Sequence, residues 1–373
     1  MRGTKVIAAL AGFGGLALSG SAQAIAWYFQ TPASQLAADI DWLHRLVMWL
    51  IVVIFAGVFG AMFYSVYAHR KSKGHKAEQF HENTTVEIIW TVIPAIILVA
   101  IAWPVTKVVI AQKDTSAAEL TVKVTGYQWK WGYDYLKGEG EGISFLSTLA
   151  TPRAQIEGAE PKGENYLLEV DNELVVPVGK KVRVITTAAD VVHSWWVPAF
   201  GAKQDAIPGF LRDTWFRPER TGTYRGQCVE LCGKEHGFMP IVVRVVSAED
   251  YTKWVAEFKQ KTAKAAEDDT KTLALQDLMQ RGEKVYAANC VACHQATGRG
   301  TPPAFPPLAG SKVVNGPEEG QIDVVLNGRP NTAMQSFKQL SNAELAAVIT
   351  FTRNSWGNKA SEVQPAEVKA RRK

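Results

Sequence analysis

Residues 228–239 read C-V-E-L-C-G-K-E-H-G-F-M, which places two thiols (Cys228, Cys232), an imidazole (His236) and a thioether (Met239) on one short loop. Thiolate, imidazole and thioether together suit soft or borderline metals, copper among them. A second imidazole of the same kind is His193, in V-V-H-S-W-W-V-P. Two cysteines instead of one allow both sulfurs to bridge a pair of metal ions, so the loop favours a binuclear site. Two other readings use the same residues: a disulfide between Cys228 and Cys232, and a Cys2His2 zinc site completed by His193 and His236. The zinc reading leaves Met239 without a role. Taken alone, His193 beside two tryptophans reads as a satisfied core histidine; the loop downstream is what makes it a ligand.

A second constellation is Cys290-Val-Ala-Cys293-His294. This is the C-x-x-C-H pattern of covalent haem attachment, in which two thiols add to porphyrin vinyls and the adjoining imidazole coordinates iron. A thioredoxin-like use of C-x-x-C needs a βαβ setting, which the surrounding pattern lacks. No histidine follows His294, and Met334 is the only methionine after it. Exclusion therefore favours a Met/His haem, which raises the iron potential. An ordinary core role is the alternative for Met334. Met279 falls on an apolar helix stripe with Leu275, Leu278 and Gly282 and is the weaker ligand candidate. All four cysteines lie in these two motifs, and the histidines after residue 110 are His193, His236 and His294. No Ser/His/Asp constellation or phosphate loop remains, so the exposed part of the chain is built to move electrons.

These motifs need a platform. The chain has 373 residues with 41 basic and 36 acidic side chains, a balance that suggests no nucleic-acid partner. Residues 1–24 combine a basic start (Arg2, Lys5), an apolar middle and Ala22-Gln23-Ala24, the makings of a signal peptide. Apolar runs at 46–67 and 88–110 are long enough to cross a hydrocarbon core of about 30 Å, as an antiparallel hairpin of helices near 42–68 and 86–110. Pro94 and Pro104 are tolerable in such a span. Arg70, Lys71, Lys73 and Lys76 lie between the runs, whereas 25–41 has no Lys or Arg, so the connecting loop is cytoplasmic and everything after residue 110 is outside.

From residue 120 to 246, β-branched runs alternate with Gly, Pro and Asp turns, the pattern of a Greek-key β-sandwich or barrel. Residues 127–135 alternate Tyr127, Trp129, Trp131, Tyr133 and Tyr135 with Gln128, Lys130, Gly132 and Asp134, predicting one strand with an aromatic face. Packing explains most of these rings; Trp129 is the candidate for electron input. Ser247 with Asp250 caps a helix over 247–260, and 261–272, charged and Ala-rich, reads as a linker of about 12 residues with a span near 20 Å. Helices follow at 273–288 and after a Ser341/Glu344 capping box, flanking a stiff loop with Pro302, Pro303, Pro306 and Pro307. The expected division is 1–24 signal peptide, 25–111 hairpin, 112–250 metal domain, 251–272 helix and linker, 273–357 haem domain and 358–373 tail.

The residues also carry a family resemblance. The stretches V-E-I-I-W-T-V-I-P-A-I-I (86–97), Y-Q-W-K-W-G-Y-D-Y (127–135), V-V-H-S-W-W-V-P (191–198), D-A-I-P-G (205–209) and the loop at 228–239 occur in order. In these the chain resembles subunit II of the haem-copper cytochrome c oxidases, in the variety with a fused C-terminal cytochrome c domain. The resemblance implies a multidomain membrane protein: a two-helix transmembrane hairpin, an all-β cupredoxin-like Greek-key domain and an all-α class I cytochrome c domain. It implies a copper-A centre bridged by Cys228 and Cys232, with His193, His236, Met239 and the carbonyl of Glu230 as further ligands. It also implies covalent haem c, and a magnesium ion that the Glu230 side chain shares with the catalytic subunit. Trp129 matches the electron-input tryptophan, and Asp134 matches the surface that meets cytochrome c, a surface the fused haem would occupy here. Glu87 matches a carboxylate at the mouth of a proton pathway, although Thr84-x-x-Glu87 also reads as a capping box. The implied partners are catalytic subunit I, subunit III, a donor cytochrome c or cytochrome bc complex, and lipid, in a bacterial inner membrane. A copper-A nitric oxide reductase subunit is the alternative.

Overall fold

The computed structural model describes residues 29–372 except 75, 77–80, 304, 330, 331, 333 and 339, and the backbone alone at 265–268. The signal peptide expected at 1–24 lies outside the described residues. Two helices come first, α1 (Gln35–Ala68) and α2 (Thr84–Lys113). Both are apolar enough to span a membrane, and their large side chains, Trp49, Phe55, Trp90 and Trp103 among them, point outward. Both prolines sit inside α2 without ending it.

At 1.5 Å per residue α1 is about 51 Å long, well beyond a hydrocarbon core of about 30 Å. The excess has a use: Leu36 and Ala37 are buried, and Ser34, which caps α1 by accepting from Ala37 N at 3.1 Å, donates its hydroxyl to Phe200 O at 2.8 Å. Ala33 N donates to Ala199 O at 2.7 Å. The far end of α2 is tied to the same body, with Trp215 Nε1 donating to Ala111 O at 2.9 Å. At its start α2 departs from expectation. Asn83 rather than Thr84 is the cap: its Oδ1 accepts from Val86 N and Glu87 Oε1 accepts from Asn83 N, each at 3.2 Å. Asn is among the strongest N-cap residues, which moves the boundary one residue upstream.

The body is a sandwich of ten strands: β1 (Leu120–Tyr127), β2 (Lys130–Lys137), β3 (Ser144–Ser147), β4 (Leu174–Pro177), β5 (Val182–Ala188), β6 (His193–Val197), β7 (Ala202–Ala206), β8 (Arg212–Phe216), β9 (Gly222–Cys228) and β10 (Pro240–Val246). One sheet runs β3-β2-β1-β5-β8 and the other β4-β10-β9-β6-β7. The pairs β1/β5 and β4/β10 are parallel and the rest antiparallel, the mark of a Greek-key, cupredoxin-like arrangement. The core between them holds Val122, Val124, Val184, Trp195, Phe200, Phe216 and Val243, all at most 2% exposed. Each such side chain contributes about 1.5–3 kcal/mol by leaving water.

The aromatic stretch is not one strand. Tyr127 pairs with Lys130, so Gln128 and Trp129 form a two-residue turn between β1 and β2. Trp131, Tyr133 and Tyr135 point into the core while Trp129 sits at the tip. The sequence alternation runs through the turn, but a reversal of chain direction interrupts the period-2 geometry.

Ser247 caps α3 as expected, accepting from Asp250 N at 3.0 Å. The helix runs Ala248–Asp268 and absorbs most of the stretch read as a flexible linker. Ala, Lys, Glu and Gln are strong helix formers, so this composition suits a helix as well as a linker. Tyr251 and Val255 pack α3 onto the sandwich core. The last unit is helical: α4 (Leu275–Asn289), α5 (Glu318–Asn327), α6 (Asn342–Arg353) and α7 (Pro365–Arg371). The Ser341/Glu344 capping box is present on α6. Where α4 crosses α6, a Cβ on Gly282 would lie 2.1 Å from Ala347 O, so only glycine permits this approach.

Candidate metal centre

Strand pairing assembles the site. β6 runs antiparallel to β9 with Trp195 opposite Cys228, which brings the start of β6, His193, to the end of β9 and its following loop. Cys228 and Cys232 Sγ lie 3.9 Å apart. Around them stand His193 Nδ1 at 3.9 Å and Glu230 O at 3.4 Å from Cys228 Sγ, with His236 Nδ1 at 3.4 Å and Met239 Sδ at 3.5 Å from Cys232 Sγ. Each sulfur thus has one imidazole and one weak donor. Tetrahedral sulfur and nitrogen ligands on a common metal stand about 3.5 Å apart, so this spacing fits metal-bound donors. The geometry brings all six residues of the expected ligand set together.

The electrostatics point the same way. Cys228 falls to about 4, held down chiefly by its hydrogen bond with Cys232 and further by His193, against the effect of burial. The same contact, together with burial, pushes Cys232 far up. Two sulfurs this close cannot both ionise without a cation between them. Burial disfavours the His193 imidazolium, but the Asp190 carboxylate and the Cys228 sulfur outweigh it and raise the His193 pKa.

The supporting shell is as ordered as the donors. Asp190 Oδ1 lies 2.9 Å from His193 Nε2, which leaves Nδ1 free to bind metal. Trp131 Nε1 donates to Met239 O at 3.2 Å and its ring meets His193 edge-on at 5.8 Å. A Cβ on Gly126 would lie 2.7 Å from His193 Cδ2, so β1 passes the imidazole as closely as a chain can. Trp129 Nε1 and Gln128 Nε2 both donate to Cys232 O, at 3.2 and 2.8 Å. The Glu230 side chain is exposed, and Leu231 beside it is 79% exposed.

In the helical unit, Cys290 closes α4 and Cys293 and His294 lie on the single turn Val291–His294. His294 Nδ1 lies 3.0 Å from Pro306 O, which leaves Nε2 as the ring nitrogen available to a ligand. Met334 is half-buried against the core of this unit.

The two redox motifs face each other. Gln335, next to Met334, donates Nε2 to Gln128 O at 3.2 Å. Lys130 Nζ donates to Asn289 Oδ1, next to Cys290, at 3.1 Å. Leu146 of β3 packs against the helical core. Asp190, Gln128, Lys130 and Gln335 are participants that sequence reasoning missed. The available signals were small: an Asp three residues before His193, and a Lys among the residues that alternate with the aromatic ones.

A two-helix membrane anchor bearing a sandwich with a paired-thiol loop, followed by a helical C-x-x-C-H unit, defines a membrane-bound electron-transfer protein. Residues 120–246 match the periplasmic domain, and 22–108 the transmembrane domain, of cytochrome c oxidase subunit II; 277–351 match subunit III of the cbb3-type oxidase. Over 242 residues the chain is 42% identical to cytochrome c oxidase subunit 2 of Cereibacter sphaeroides, covering 61% of this chain and 79% of that protein. It is 42% identical over 238 residues to a probable cytochrome c oxidase subunit 2 of Rickettsia conorii, covering 63% and 72%. The crystal structure of the periplasmic domain of subunit II from Bradyrhizobium japonicum is 49% identical and covers 39% of this chain and 96% of that one, with a TM-score of 0.34.

The chain belongs to the cytochrome c oxidase subunit II family. It carries a cytochrome c-type domain and is an oxidoreductase component of a haem-copper oxidase. Membership implies copper-A in the sandwich and haem c in the helical unit, a membrane protein with a periplasmic domain, a catalytic subunit and a cytochrome donor.

Proposed function

We propose that this chain is the electron-input subunit of a terminal cytochrome c oxidase in a bacterial inner membrane. Electrons from a donor cytochrome enter at the helical unit, cross to the paired-thiol loop and leave for the catalytic subunit, where oxygen becomes water. The observation that carries this reading is a bridge of two hydrogen bonds. Gln335 Nε2 reaches Gln128 O, and Gln128 Nε2 reaches Cys232 O, with Trp129 making a parallel contact to the same carbonyl.

In this reading His193, Cys228, Glu230 (through its carbonyl), Cys232, His236 and Met239 would hold copper. Cys290 and Cys293 would hold haem c as thioethers, with His294 and Met334 as the side chains that would bind its iron. When bound, both groups supply reversible one-electron chemistry. The chain's residues fix donors and exclude water: Asp190 sets the His193 tautomer, Trp131 anchors Met239, and Trp129 links the turn to Cys232. A single sandwich positions both His193 and the loop, so the site needs little rearrangement when an electron arrives.

Other residues take partner roles. Exposed Leu231, Phe210 and Leu211 offer apolar contact to the catalytic subunit, and the exposed Glu230 carboxylate is free to share magnesium with it. The outward apolar faces of α1 and α2 meet that subunit, subunit III and lipid. Glu87 serves proton uptake as well as the helix start. Removal of 1–24 as a signal peptide leaves 25–111 as anchor, 112–250 as copper domain, 251–272 as helix and linker, 273–357 as cytochrome domain and 358–373 as tail.

The test injects one electron into haem c of the intact complex by flash photolysis and follows the copper near-infrared band. With Trp129→Leu, transfer should slow roughly tenfold or more while both optical signatures persist. An unchanged rate overturns the route.

A further inference from the structure

Lys130 is one of the polar residues that alternate with the aromatic ones, yet it is 2% exposed. Its ammonium lies outside the sandwich core, in the cytochrome unit: Nζ donates to Asn289 Oδ1 at 3.1 Å and stands 5.0 Å above the Phe337 ring. Phe337 is itself buried in that unit's core. Burial lowers the Lys130 pKa to about 8, while the Asp190 carboxylate pulls it back up. A desolvated cation set into another unit is costly unless its partners are fixed, so such a contact selects one arrangement. A ring face and an amide oxygen, both on the cytochrome side, supply that fit.

We propose that Lys130 is a docking pin: the copper domain inserts it into the cytochrome domain, fixing the two redox units in a single pose and setting a positive charge beside the haem-attachment segment. The pin rests on the electron route proposed above and deepens it. Two further contacts join the same two units, Gln335 to Gln128 and Leu146 against the cytochrome core, and the linker adds Asp269 Oδ1 accepting from Ala343 N at 2.6 Å. The pinned face includes the Gln128–Trp129 turn, so a soluble cytochrome delivers electrons to the fused haem domain and not to the turn. A buried contact is also screened little by salt, so transfer between the units should be insensitive to ionic strength, unlike a tethered encounter steered by surface charge.

The experiment uses the assembled oxidase with a specific protease site placed in the exposed stretch 270–272. In the wild-type background, cleavage should leave the haem fragment bound through gel filtration. With Lys130→Met the fragments should separate, and in the uncut enzyme transfer from haem c to copper should slow at least tenfold. The haem c midpoint potential should fall, because a nearby positive charge favours the reduced, less positive iron. Lys130→Arg should restore both transfer and potential. In a double-mutant cycle, adding Asn289→Ala to Lys130→Met should cost no further transfer rate, and this holds even if Lys130→Met alone lowers the yield of complex.

Retention of the cut fragment together with wild-type transfer and potential in Lys130→Met would overturn the pin. Absence of any transfer from haem c to copper in the wild type would overturn the parent route instead. Fragment retention would still report on the pin in that case.

Discussion

The copper loop and the haem-attachment segment hold the same kind of residues in opposite ways. The proposed copper donors come from two places 35 residues apart, His193 and Cys228, and are brought together by the β6/β9 pairing. His193, Cys232 and Met239 are buried, and each is reached by at least one indole or carboxylate. The two thiols of the C-x-x-C-H segment and His294 lie within five residues, only partly covered, and the helices around them share a core that includes Tyr286, Leu345 and Ile349. The lesson is that the copper cradle is made by the fold, whereas the haem segment is a local motif whose surroundings are completed by the group attached to it. On this contrast, folding should precede loading in the first and be coupled to it in the second.

The largest effects would break this contrast outright. Cys228→Ser should abolish the binuclear copper signature while the sandwich stays folded and haem c stays attached. Cys293→Ala should instead leave the helical unit without its covalent centre and unfolded, with copper intact. Optical and EPR spectra with circular dichroism decide both, and a variant that loses both centres would defeat the contrast.

Asp190→Asn, which weakens the acceptor on His193 Nε2, should lower copper affinity about 10- to 100-fold without touching the haem band. Competition with a chelator measures it. The same substitution disturbs Gln128 N, which donates to Asp190 Oδ2 at 2.7 Å, so transfer should slow as well.

The next effect is a pH slope. In the metal-free protein Cys228 is already a thiolate near neutrality and Cys232 keeps its proton. Loading must release that proton, and on the acid side a second one from His193, so copper affinity should rise at least tenfold per pH unit across the neutral range. A flat profile would show that the two sulfurs do not share one proton.

Smallest is Glu87→Gln, which keeps an oxygen to accept from Asn83 N but removes the charge. Oxygen reduction should slow several-fold with copper and haem c spectra unchanged. Full turnover would leave Glu87 with its capping role alone.

Much of this was legible in the residues. The two motifs name their ligand types, the apolar runs give the hairpin, and the Ser341/Glu344 and Ser247/Asp250 pairs mark helix starts that the structure repeats. What was hidden depends on tertiary context. The aromatic alternation masked the turn at Gln128–Trp129, because a pattern counted along the chain does not register a reversal. Residues 261–268 have the composition of a linker, and also of a helix. The first turn of α1, with Gln35 and Asp39, is too polar for a membrane span and joins the helix because it packs beneath the sandwich. The meeting of Gln335 with Gln128, 207 residues apart, leaves no trace in any local pattern.

That first turn has a mechanical consequence. Hydrogen bonds from Ser34 and Ala33 to Phe200 and Ala199 lash the top of α1 to the underside of the sandwich, close to the stretch that follows β6. A hydrophobic mismatch that tilts the hairpin in a thinner or thicker bilayer therefore leans the whole head with it. Lipid thickness becomes a lever on how squarely His193 and its neighbours are presented to whatever waits at the membrane surface.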